Sequence, residues 1–175
     1  MKDDKSMSQI TQFLQRKVSD NKGRQLADIW AFSDFQLEHT HNYIQWLFPI
    51  DKPSANNRYA PVLTENDIEL CRQDMRIQEN LIFSFNMMLK FWGIERQDCQ
   101  FILIANQPQN HKLWLTRYNH NQLRISRVIR SLGLLGQIQL AKDFQYFVIK
   151  TAYDSQKVSE ETMQNWLIAF DASSA

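Results

Sequence analysis

The residue pattern predicts an all-α fold of about six to eight helices, and three observations carry the prediction. Apolar residues recur at steps of three and four through most of the 175-residue chain, which places them along one face of a helix. Helix-start signals precede several of these runs: Ser33 with Gln36, Thr64 with Asp67, and Ser159 with Glu160 and Glu161. A lone run, Gln100-Phe101-Ile102-Leu103-Ile104, has the character of a strand or of buried coil. One very short strand or hairpin near 100–115 is therefore compatible with the pattern, and it leaves the fold class unchanged.

Taken in order, residues 1–9 are polar and terminal and are expected to fray, leaving 10–171 as one helical domain. Ser8 can cap a short helix carrying Ile10, Phe13, Leu14 and Val18, which ends before Asp20-Asn21-Lys22-Gly23. A second short helix, 24–32, turns Leu26, Ile29 and Trp30 to the core. The third, 33–49, opens on a Ser33–Gln36 capping box and closes at Pro49, which cannot continue a helix. Leu37, Ile44 and Phe48 form its apolar stripe, and at about 100° per residue His41 projects into the same sector. Glu38 and Gln45 run beside it, three residues before and four after.

Residues 49–63 form a loop, because Pro53-Ser54-Ala55-Asn56-Asn57 and Ala60-Pro61 oppose regular structure. Its length suits either a functional loop or a strap over the core. From Thr64 a helical pattern runs through Ile68, Cys71, Met75, Leu81, Ile82, Phe85, Met88, Leu89 and Trp92 to Gly93, with Asp74 able to recap and split it. The aromatic and Met cluster Phe83, Phe85, Met87, Met88, Phe91, Trp92 reads as core or as a ligand pocket. Asn106-Gln107-Pro108-Gln109-Asn110 reads as a turn or loop. A helix of 120–132 buries Ile125, Val128, Ile129 and Leu132 and closes at Gly133 and Gly136. Leu140, Phe144, Phe147, Val148 and Tyr153 define the next, and the last buries Met163, Trp166, Leu167 and Phe170.

The bulk numbers exclude several classes. Lys and Arg total 20 against 19 Asp and Glu, a net charge of +1, so no global field favours nucleic acid or an anionic membrane. No apolar run approaches the ~18 residues of a transmembrane helix, and Met1–Ser8 is charged and does not resemble a signal peptide. Two cysteines, Cys71 and Cys99, lie far apart without CxxC spacing, which argues against a disulfide framework or a structural zinc and suits a cytoplasmic protein. Both are expected to be buried small residues. Nucleotide-binding, metalloprotease and hydrolase motifs are absent from the sequence. No cofactor is expected.

Two constellations remain. His41 is either a core histidine with satisfied nitrogens or an imidazole facing a pocket, its tautomer set by Glu38 or Gln45. His39 and His41 diverge on a helix, and a zinc site would need His111 or His120 brought from elsewhere, so no metal is expected. The second is His120, Arg124 and Arg127, at i, i+4 and i+7 on the face opposite the stripe, with Arg130 to the side. It reads as a solvated basic face, or as a carboxylate or phosphate site near a helix N-terminus.

His41-Asn42-Tyr43-Ile44-Gln45-Trp46-Leu47-Phe48-Pro49 and Asn121-Gln122-Leu123-Arg124-Ile125-Ser126-Arg127-Val128-Ile129-Arg130-Ser131-Leu132-Gly133 together resemble the two hallmark segments of the opioid growth factor receptor conserved-region family, in a short bacterial-type form. Gly23-Arg24-Gln25-Leu26, Ala60-Pro61-Val62-Leu63-Thr64 and Met88-Leu89-Lys90-Phe91-Trp92-Gly93-Ile94 support the likeness. The resemblance implies an all-helical domain. Its eukaryotic members are perinuclear or nuclear receptors for an enkephalin peptide, and they carry a repeat region and a lysine-rich run that these residues lack. It supplies no catalytic residue.

The expected function is thus binding. A cleft bordered by Glu38, His41, Gln45 and Trp46 on one helix and by His120, Asn121, Arg124 and Arg127 on another would accept a peptide carboxylate or small anionic ligand, with Trp46 as an apolar wall. Trp46 could instead pack against the C-terminal helices. The rivals are an enzyme with His41 or His120 as general base and a protein-interaction module marked by an exposed apolar patch.

Overall fold

The computed structural model describes residues 7–98, 100–106, 109–171 and 173. Among them are nine α-helices and one antiparallel hairpin, the mainly α architecture that the periodicity predicts. Residues 1–6 of the N-terminal stretch and Cys99, Gln107 and Pro108 lie outside the described residues. The chain comprises two compact units, Met1–Ile82 and Phe83–Ala175.

The first unit holds α1 (Gln9–Leu14), α2 (Leu26–Trp30), α3 (Asp34–His39), α4 (Ile44–Leu47), α5 (Glu65–Gln73) and the start of α6 (Met75–Phe91). Ser8 caps α1 by accepting from the Thr11 amide and donates to Asp67 Oδ1 at 2.6 Å. Asp67 in turn closes the capping box of α5 with Thr64, so one carboxylate joins two helix starts. Asp74 ends α5 in extended geometry and recaps α6, accepting from the Ile77 amide at 3.0 Å and from Gln15 Nε2 at 2.6 Å. Recapping leaves Met75 at the first position of a new helix and 78% exposed, while Ile77 takes its place in the core. Residues 49–63 form a strap, its ends joined where the Leu63 amide donates to Ile50 O at 2.9 Å.

The expected helix of 33–49 is two helices. The Ser33–Gln36 box forms as predicted, but helical bonding stops at Thr40, which is extended, and resumes at Ile44. Two side chains explain the break. Tyr43 Oη donates to Leu37 O at 2.7 Å, the carbonyl that a continuous helix would offer to the amide of residue 41. Arg24 donates to Asn42 Oδ1 at 2.9 Å and Asn42 O at 3.1 Å. Arg24 is itself fixed by Asp20, whose buried carboxylate it meets at 2.7 Å.

The second unit continues α6 to Gly93, which ends it at φ +70° as a left-handed C′ residue. The hairpin follows, β1 (Ile94–Gln97) pairing with β2 (Gln100–Leu103) in the register Ile94↔Leu103 to Gln97↔Gln100. After a 3₁₀ turn at Gln109–Lys112 come α7 (His120–Leu134), α8 (Ile138–Ser155) and α9 (Glu160–Ile168). Phe101 of β2 packs against Phe85, Phe144 and Phe147 with ring centroids 5.6–6.1 Å apart. Trp92 lies parallel to Phe144 at 6.3 Å. The aromatic cluster of α6 is therefore core, except Phe83, which is 54% exposed.

Three indoles of this unit are tied by hydrogen bonds, whereas Nε1 of buried Trp46 in the first unit has no partner among the described residues. Trp92 Nε1 donates to Asn121 Oδ1 at 3.1 Å, Trp114 Nε1 to Trp92 O at 3.0 Å, and Trp166 Nε1 to Gln122 O at 2.9 Å. Gly133 sits inside α7 and does not close it; a Cβ there would meet the Phe170 ring at 2.4 Å. Leu167, expected in the core, is exposed, as is Tyr153 of α8.

Candidate functional site

The eight residues proposed from sequence divide between the units: Glu38, His41, Gln45 and Trp46 in the first, His120, Asn121, Arg124 and Arg127 in the second.

In the first unit the break between α3 and α4 removes the assumed geometry. His41 lies in the break and is exposed, so the imidazole is not set into an apolar stripe, and Glu38, His41 and Gln45 do not share one helix. Gln45 is buried and its Nε2 donates to the backbone carbonyl of His41 at 3.2 Å, while its Oε1 has no hydrogen-bond partner among the described residues. Trp46 is 3% exposed and packs edge-on to Phe13 at 5.3 Å, which makes it part of the core of this unit.

In the second unit Asn119 caps α7, its side chain accepting from the Asn121 amide at 2.9 Å, and Gln122 completes the box. His120, at the first helical position, is exposed. Asn121 is buried, and its Oδ1 accepts from Trp92 Nε1 and from Arg124 Nη1 at 3.2 Å. Arg124 is only 5% exposed. Of the two readings of His120, Arg124 and Arg127, the solvated face fails at its middle residue, which is withdrawn from solvent. Arg127 is half-buried, and burial pushes its guanidinium down to about 10, still protonated at neutral pH.

His120 does border a concavity. A cavity of about 450 Å³ opens between the first two turns of α7 and the first two turns of α9, lined by Tyr118, Asn119, His120, Gln122, Leu123, Ser126, Glu161, Thr162 and Asn165. Its floor is tied down. Gln122 Nε2 donates to Trp114 O at 2.9 Å and Thr116 O at 2.8 Å, and its Oε1 accepts from Thr162 Oγ1 at 3.1 Å. Thr162 closes the start of α9 with Ser159, whose Oγ accepts from its amide. Arg124 and Arg127 are not among the lining residues.

The lining explains what the sequence reading missed. Asn119, Leu123 and Ser126 step by four and three, a second face of α7 beside the apolar stripe, and Leu123 is an apolar residue on it, 60% exposed. That lone apolar position was the available signal. Glu161 and Asn165 come from forty residues further on, and no local pattern links them to His120.

The Ser126 hydroxyl in the lining donates to Gln122 O at 3.4 Å. Burial, then the charges of Asp67 and Asp74, push the Cys71 thiol up to about 12, which disfavours its thiolate form. A second, more apolar concavity of about 770 Å³ lies between α8 and the end of α9, beside exposed Tyr146, Leu167 and Ile168. No helix among the described residues is long and apolar enough to cross a membrane.

These features define a mainly α-helical protein with a preformed cavity between two of its helices. The chain belongs to the opioid growth factor receptor family: the model of the Opioid growth factor receptor (OGFr) conserved region matches residues 5–174. It is 38% identical over 111 residues to the opioid growth factor receptor of Mus musculus, covering 61% of this chain and 17% of that protein. The Homo sapiens receptor is 37% identical over 110 residues, covering 61% of this chain and 16% of that protein. Opioid growth factor receptor-like protein 1 of Xenopus tropicalis is 39% identical over 108 residues, covering 61% and 21%. The matches thus span between a sixth and about a fifth of these relatives. No solved structure matches the chain.

Proposed function

We propose that this chain is a binding domain that recognises a short peptide, and that the cavity between α7 and α9 is where it does so. One observation carries the reading: the cavity has a floor whose Gln122 and Thr162 side chains bond to each other and to neighbouring backbone, beneath a lip of exposed Tyr118, His120, Leu123, Glu161 and Asn165. A rigid floor under adaptable polar and apolar groups is the ordinary build of a ligand pocket, because little ordering entropy is then lost on binding. Relatives whose name makes them receptors for opioid growth factor supply the peptide as ligand class. His120, Asn121 and Arg124 keep distinct parts in this reading. His120 faces the ligand, while Asn121 and Arg124 hold α7 in place.

Calorimetric titration with opioid growth factor tests it. Leu123→Gln replaces the apolar group on the lip with a neutral polar one at a position too exposed to disturb the core, and it should weaken binding about tenfold with an unchanged helical spectrum. Undiminished binding by that variant, or no binding by the parent chain, would remove the proposal.

A further inference from the structure

We infer that the α7–α9 cavity receives the amino terminus of its ligand, an ammonium followed by an apolar side chain, and not a carboxylate. The inference rests on the peptide-binding reading above and decides which end of the peptide enters.

Among the lining residues Glu161 is the one side chain with a fixed formal charge, and that charge is negative. It is exposed, and no ion pair or hydrogen bond joins its side chain to another described residue. Around it are acceptors that an ammonium can use: the amide oxygen of Asn165 and the hydroxyl oxygen of Ser126. Tyr118 and Leu123, 61% and 60% exposed, offer apolar surface beside them for the first side chain. Arg117 already lies over the Tyr118 ring at 5.7 Å, which shows that this aromatic accepts a cation on its face.

The opposite arrangement has less to recommend it. The guanidinium groups of Arg124 and Arg127 are not among the lining residues, and Arg124 is engaged with Asn121. The start of α7 offers an anion at most about half a unit of positive charge. Part of that end is already spent, since Asn119 Oδ1 takes the Asn121 amide at 2.9 Å. A ligand carboxylate would face the full charge of Glu161, and like charges brought together in an interface oppose binding. Arg117, outside the lining but next to Tyr118, is the cation best placed to rescue an anionic ligand, so it belongs in the test.

Four forms of opioid growth factor separate the readings: both ends free, N-acetylated, C-amidated, and both blocked. Each is titrated calorimetrically into the parent chain, Glu161→Gln and Arg117→Gln. N-acetylation should weaken binding about tenfold or more, amidation should change it less than about twofold, and Glu161→Gln should weaken the free peptide while leaving the acetylated one unchanged. Loss of binding on amidation, or tighter binding by Glu161→Gln, overturns the assignment, as does an effect confined to Arg117→Gln. If the free peptide binds and Leu123→Gln still weakens it, peptide binding in the cavity stands whichever end enters. If no form binds, both readings fail together.

Discussion

Arg24 carries more of the first unit than its place in a loop suggests. The Asp20 carboxylate is fully buried and accepts from the Lys22 amide at 2.8 Å, the Arg24 amide at 2.9 Å and Arg24 Nε at 2.8 Å. The same guanidinium reaches Asn42 through two further bonds, so one planar group ties the loop before α2 to the break between α3 and α4. Arg24→Ala leaves a buried carboxylate with only its two backbone donors. We expect a loss of about 3 kcal/mol in urea unfolding, at the lower end for breaking a buried pair because those donors remain. Arg24→Lys keeps the charge but cannot reach both partners from one ammonium, and it should recover less than half of the loss. A lysine variant as stable as the parent would show that charge alone, and not the fork, matters. In sequence, Gly23-Arg24-Gln25-Leu26 was visible only as a family resemblance, because nothing local says that an arginine will meet residue 42.

At the scale of elements, the predictions that held rest on signals within four residues of each other. The Ser33–Gln36, Thr64–Asp67 and Ser159 caps form because each pairs a side chain with an amide in the same turn. The failures are long-range. Nothing in the pattern of 33–49 reveals that Tyr43 will take the Leu37 carbonyl, or that Phe170 will need the space a side chain at Gly133 would fill. Asp74 lies between these cases, a local cap whose second partner, Gln15, is 59 residues away. Burial pushes its carboxyl up, but donors from Ile77, Gln15 and Arg76 and the charge of Lys17 together hold it below its ordinary value. A carboxyl lowered on folding stabilises above its unfolded pKa and loses that contribution as pH falls through the folded one. Asp74→Ala should therefore cost about 1 kcal/mol at pH 7, and urea curves should show the gap narrowing below about pH 4. A gap unchanged at pH 3 would mean that the cap does not depend on ionisation.

For the molecule as a whole, the sequence made family and fold class legible, while the cavity stayed hidden because it joins α7 to α9 across forty residues. The charge balance was legible too, and the structure sharpens its meaning. With 20 basic against 19 acidic side chains, nucleic-acid binding would have to come from a local stripe, and the stripe visible in sequence was His120, Arg124 and Arg127. Arg124 is buried and bonded to Asn121, Arg127 is half-buried, and Arg130 donates to Ala169 O at 3.3 Å. Each phosphate neutralised releases counterions, so affinity for a duplex depends on how many exposed cations can act together. Here burial takes the centre out of that row. We expect fluorescence anisotropy with a labelled DNA duplex in 50 mM salt to show no saturable binding below about 100 μM, the weak end of ordinary non-specific affinity. Saturation in the low micromolar range that collapses as salt rises would instead locate a cationic surface elsewhere, and it would make a polyanion a serious competitor to the peptide as ligand.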